Sequence, residues 1–243
     1  MNCSRCSLLG LLVAASLAPA AFADDEPAIG GVHELAIGTT DPIPVIQYLQ
    51  QYGYRVGRSG ELSAGKAEAL YGVNSSLRSI RLQHQDADHG LYRLMVWETP
   101  RNEGLGLAHM KVLGGRWGAA VTRDVYKILN HSEDAAERGL PIYFVEPQRQ
   151  VIYGGGGDAR PFLDPMLCVR EMLLVRPETR QIIFQRYDYE LPLYGRIAEG
   201  APLRMSQVTH AGLITTGGPE SLDFYDGVLG LKRARHGHVS DDS

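Results

Sequence analysis

The strongest constraint on how this chain can fold is a repeat. Near residue 30 stands Gly31-Val32-His33-Glu34-Leu35-Ala36-Ile37, followed by Asp41, the stretch PVIQYLQQYG and Tyr54-Arg55-Val56. Far downstream stands Val208-Thr209-His210-Ala211-Gly212-Leu213-Ile214, followed by Pro219-Glu220-Ser221, LDFYDGVLG and Leu231-Lys232-Arg233. His33 and His210, Tyr48 and Tyr225, and Gly53 and Gly230 are each separated by 177 positions. Matches at separate points in one register indicate copies of one supersecondary unit, and a repeat of that kind decides the fold before any motif does.

Each copy has the pattern strand, helix, returning strand. The short alternating run around His33 suits a half-buried strand. Pro219 and Glu220 suit a helix start, and Leu222, Tyr225, Val228 and Leu229 recur on one helical face. Gly53 and Gly230 stand where a helix ends in a left-handed residue. After Val56, LRSIRLQ and GLYRLMVWE, separated by His84 to His89, suit an antiparallel pair. The unit is therefore one strand, one helix and about three further strands. A looser copy lies between: Arg116 to Asp124 spans the same interval as His33 to Asp41, SEDAAERGLPI is helix-like up to Gly139, and VIY, VREMLLV and QIIFQRYDY are candidate strands. The polar stretch LPLYGRIAEGAPLR has the composition of an interdomain connector.

Residues 1–23 have the form of an export signal, with Arg5, the apolar run LLGLLVAASL and Ala21-Phe22-Ala23 before Asp24. The apolar run is shorter than the roughly 20 residues that span a bilayer. Cleavage after Ala23 implies a periplasmic or extracellular protein of 220 residues with no membrane segment. It also removes Cys3 and Cys6, so Cys168 remains without an internal disulfide partner, in a run that suits an inert core thiol. The formal charge of -4 becomes -5 on loss of Arg5, which disfavours nucleic acid as a partner.

The segment VTHAGLITTGGPESLDFYDGVLGLKR, with its FY-x-x-x-LG core at Phe224-Tyr225 to Leu229-Gly230, resembles the vicinal oxygen chelate superfamily, which includes glyoxalase I, bleomycin-resistance proteins and extradiol dioxygenases. GVHELAIGTTD with QYLQQYGY is similar. The resemblance implies an α+β fold of paired βαβββ modules that cup a ligand. It divides the chain into a first domain over 24–195 (module one at about 30–100, module two at about 108–190), a linker over 196–205 and an incomplete third module over 206–243. The layout is closest to four-module members. On that plan the chain is either a fragment of a longer protein, or residues 206–243 pack on the first module pair or on a second subunit, making a homodimer a candidate assembly.

The resemblance further implies a divalent metal, Fe, Mn, Zn or Ni, held by a first-strand His, Gln or Glu and a last-strand carboxylate from two modules. His33 and His210 match the first-strand position. Arg116 stands there in module two, and a guanidinium cannot ligate a cation. Ile183 occupies the place of module two's carboxylate, and Glu98 is placed at or beyond the end of module one's last strand. The first module pair is therefore expected to be metal-free. A small oxygen-rich or anionic ligand is expected there instead, held by Arg116 with Trp117 and Trp97 as aromatic walls. The alternative is a metal-dependent dioxygenase-like or glyoxalase-like enzyme in which His210 is completed by sequence beyond Ser243. His236-Gly237-His238 suits a frayed tail. The GGGG run at Gly154 lacks the Gly-Lys-Ser/Thr of a phosphate loop, and no G-x-S-x-G elbow is present.

Overall fold

The computed structural model describes residues 30–107, 113–153, 167–187, 189–191 and 195–233. The export signal, the GGGG run and the His236-Gly237-His238 tail lie outside the described residues.

The first unit begins with strand β1 (Glu34–Thr39) and helix α1 (Pro42–Gln50), capped by the Asp41 side chain, which accepts from the Ile43 amide. Three strands follow, β2 (Tyr54–Leu62), β3 (Leu77–His84) and β4 (Leu91–Trp97). They form a sheet of order β1-β4-β3-β2 in which β1 and β4 run parallel and the other pairs antiparallel. The second unit repeats this path with β5 (Gly114–Val121), α3 (Val125–Glu137), β6 (Tyr143–Tyr153), β7 (Leu167–Val175) and β8 (Arg180–Tyr187). Its order is β6-β7-β8-β5, again with the first and last strands parallel. Asp124 caps α3 as Asp41 caps α1, so the matched spacing in the sequence marks two equivalent helix starts. The expected α+β fold of paired βαβββ modules is the one found.

The sequence indicated no helix between β2 and β3, yet α2 (Ala64–Tyr71) stands there. It lays Ala67 against Leu77 and Met95, and Tyr71 meets Trp97 edge to face at 5.8 Å. In module two, α3 starts directly after Asp124, ahead of SEDAAERGLPI, because Val125 and Ile128 extend the buried stripe of Ser132 and Ala135. Strand β6 reaches well upstream of VIY. It is an edge strand whose pairing shifts register between Val145 and Gln148, which accommodates Pro147.

The two modules share one core. Val45 and Leu49 of α1 and Tyr52 of the turn after it meet Leu82 and Leu94 from the first sheet, and Val125, Ile128, Met172 and Ile183 from module two join the same cluster. The connector and the residues just after it complete this core: Ala198, Leu203, Met205 and Val208 are buried. The backbone of this segment is bound to both modules. Leu203 N donates to Gln51 O, Ser206 N to Val121 O, Val208 N to Gly90 O and Thr209 N to Ala119 O. The His84 ring, fully buried, donates from Nε2 to Tyr52 O at 3.2 Å and Met205 O at 3.0 Å.

Strand β9 (His210–Ile214), the first strand of the third copy, pairs antiparallel with β5 and extends the second sheet to five strands. Beyond it the expected helix is a 3-10 turn (Pro219–Leu222) and a π-type turn (Phe224–Val228). Its apolar face points outward, with Phe224 and Val228 exposed. Gly53 and Gly230 take φ of +101° and +65°, the left-handed conformation expected of them. No helix among the described residues is long and apolar enough to cross a membrane.

Candidate functional site

A cleft opens where β1 approaches β5. The approach is tight because Gly118 on β5 has no side chain: a Cβ there would collide with Leu35 Cδ1. The cleft encloses about 360 Å³, and its walls include Leu35, Ile37, Tyr92 and Trp117. The β7–β8 turn supplies Glu178, and Arg180 follows at the start of β8. That turn is closed by reciprocal hydrogen bonds between the Arg176 and Thr179 backbones. Burial pushes the Tyr92 phenol up to about 12, so it stays protonated, and its oxygen accepts from Gln181 Nε2 at 3.3 Å. Gln181 Oε1 accepts from Tyr48 Oη at 2.5 Å, and Tyr52 donates to Tyr48 at 2.6 Å. These polar groups satisfy one another across the module interface and hold the inner wall of the cleft rigid.

Trp117 forms the other wall. The β5–β9 ladder shifts register between Gly115 and Trp117, leaving Arg116 as the extra residue of a β-bulge. The indole covers Gly212 of β9, where any Cβ would overlap the ring. Its edge meets the His210 ring at 5.6 Å, and Phe184 of β8 stacks on the same imidazole at 5.6 Å. Thr209 Oγ1 lies 3.0 Å from His210 Nδ1. Burial, aided by the Arg186 guanidinium, lowers the His210 pKa and keeps the ring neutral at pH 7.

The expected site residues fall in different places. His33 is exposed and immediately precedes β1, with its carbonyl accepting from Leu91 N. Trp97 lines a neighbouring hollow of about 600 Å³, which shares Gly38, Gly104, Pro177 and Glu178 with the Trp117 cleft. The two indoles thus face adjoining spaces. Arg116 belongs to β5, but its side chain lies outside the described set. Ile183 is fully buried in the core. Glu98 lies just past β4 and accepts from Ser76 Oγ.

Around the His210 ring the described residues include Trp117 edge to face, Phe184 stacked, the Thr209 hydroxyl and the Arg186 guanidinium, and no cluster of three His, Cys, Asp or Glu occurs among the described residues. Sequence reasoning missed Glu34, next to His33. It bridges Arg81 at 2.9 Å and Arg93 on the first sheet, and a charged triplet alternating with apolar positions on three strands was the available signal. It also missed Tyr92 and Gln181, which meet only after the modules pair.

No family model and no curated protein matches the sequence. Among solved structures, the chain is similar to a glyoxalase family protein from Bacillus cereus, with 12% identity over 69% of this chain and 99% of that one and a TM-score of 0.46. It is also similar to a glyoxalase I mutant from Zea mays, with 13% identity over 84% of this chain and 57% of that one, again at 0.46. The strand orders, with first and last strands parallel in both modules, decide the architecture. The fold is glyoxalase-like. Within it, β9 is an addition to the paired modules, and it brings His210 and Gly212 against Trp117.

Proposed function

We propose that this chain is an exported protein of the vicinal oxygen chelate superfamily that binds a small oxygen-rich organic ligand in the cleft between β1 and β5, without a metal in the first module pair. The cleft itself is the observation that carries this reading. Its volume of about 360 Å³ lies within the range of small-molecule sites and suits a single-ring compound. Trp117 and Tyr92 offer flat apolar contact to such a ring, and Arg180, whose guanidinium also donates to Gly106 O at 3.1 Å, brings a positive charge to the lining. Arg116, adjacent to Trp117 in the bulge, is the second cation we assign to the ligand.

The site holds rather than transforms in this reading. Its aromatic walls and donor groups provide orientation, and His210, held between Trp117 and Phe184, buttresses one wall. The test is calorimetric titration of residues 24–243 with a panel of phenols, catechols and hydroxy acids. At least one compound should bind with a Kd on the order of 1–100 μM. Gly38 lines the cleft with open space at its Cβ position, so Gly38→Phe should fill the cleft and abolish that binding, and Arg116→Ala should weaken it. A panel without binders, or affinity unchanged in Gly38→Phe, contradicts the proposal.

A further inference from the structure

We infer that a separate cavity, between α1 and α3, is a second binding site that takes a small organic anion with an apolar body. It encloses about 410 Å³ and is separated from the β1–β5 cleft by the hydrogen-bonded chain Tyr48, Gln181 and Tyr92. Arg138 from the end of α3 and Arg176 from the start of the β7–β8 turn both line it, as does His131 of α3, with no Asp or Glu among the lining residues. Each guanidinium is already positioned by a neutral group. Arg138 Nε donates to Asp134 O at 3.0 Å, and Arg176 stands 4.1 Å over the Tyr48 ring. Neither makes an ion pair among the described residues.

The local field is felt by His131, whose pKa is lowered first by burial and then by Arg138, with Arg176 adding to it and Asp134 opposing. The cavity therefore combines two fixed cations with a neutral imidazole. A carboxylate or phosphate is the group that such guanidinium forks recognise, through charge-assisted hydrogen bonds. Leu140, 46% exposed, and the partly buried Ile142 provide an apolar surface beside the cations. An anion carrying a ring or short alkyl body would cover both, whereas a bare inorganic ion would leave them wet.

The test uses purified residues 24–243 and fluorine NMR of 4-fluorobenzoate, with the neutral 4-fluorobenzamide and inorganic phosphate as comparison probes. The benzoate should bind, with the amide and phosphate each at least about 10-fold weaker. Arg138→Gln, at an exposed position that does not threaten folding, should weaken benzoate about 10-fold, and Arg138→Gln with Arg176→Gln should remove binding. Benzoate should also raise the His131 titration midpoint followed by proton NMR. Gly38→Phe should leave benzoate affinity at this site unchanged, which separates this inference from the proposal for the β1–β5 cleft. Equal affinity for the amide, full affinity in the double variant, or loss of binding in Gly38→Phe would each overturn it.

Discussion

Replacing Met205 by Ala tests whether the connector belongs to the core. Met205 is 1% exposed, and its carbonyl accepts the His84 hydrogen bond that ties it to module one. The substitution removes Cγ, Sδ and Cε from full burial, a transfer loss of about 2 kcal/mol, and the cavity left behind adds about 1 kcal/mol. Because Ala198, Leu203 and Val208 are fixed on both sides by backbone hydrogen bonds, the gap cannot close by local collapse. Urea unfolding should show a loss of about 3 kcal/mol at an unchanged denaturant slope, and the melting temperature should fall by about 6–12 °C. Val228→Ala, at a side chain 70% exposed, should cost less than about 0.5 kcal/mol. If Met205→Ala costs no more than this control, residues 196–205 behave as a solvated linker and the shared core described above is wrong.

Other expectations follow from buried groups. Burial lowers the His84 pKa below its ordinary 6.5, so the unfolded chain binds a proton that the folded chain resists. The resulting stability is complete above 6.5 and is lost as pH falls through that value toward the folded pKa, with a limiting slope of about 1.4 kcal/mol per pH unit. Urea midpoints at pH 7.5 and 5.5 should differ less in His84→Gln than in the parent, and an identical difference would exclude His84 as a source. Gly212→Val should cost about 1–3 kcal/mol and shift the Trp117 emission, because the new side chain displaces the indole; unchanged emission would contradict the packing. Fe(II), Mn(II) or Zn(II) should raise the melting temperature of His210→Ala and of the parent equally, whereas tight uptake abolished by the substitution would restore His210 as a ligand.

Much of the fold was legible because both modules carry local signals. Asp41 and Asp124 start helices, Gly53 and Gly139 follow their ends, and apolar positions alternate along β3 and recur along α3. Helix α2 was not legible, since AGKAEALY buries only Ala67 and therefore lacks an apolar stripe. The connector is rich in Gly, Pro and charge, yet three of its apolar residues, Ala198, Leu203 and Met205, enter the core from irregular backbone, where no periodicity announces burial. The third copy's helix-like face shows the converse. Its spacing matches a helix, but among the described residues nothing covers Phe224 or Val228, and the segment winds into two short turns. At the cleft, the sequence offered Trp117 as an aromatic wall beside Arg116, and Trp117 is among the residues that line it. Tyr92, Gln181 and Arg180 were not, because their convergence depends on how two sheets meet.

Trp97 and Trp117 are the only tryptophans of the chain, so Trp97→Phe leaves Trp117 as the single indole reporter. Titrating that variant with the ligand found in the calorimetric panel should quench or shift Trp117 emission, with a midpoint equal to the calorimetric Kd. The same titration in Trp97→Phe with Gly38→Phe should leave the emission unchanged. Binding by calorimetry with no response from Trp117, or a response that survives the filled cleft, would contradict the assignment of the ligand to the space between β1 and β5.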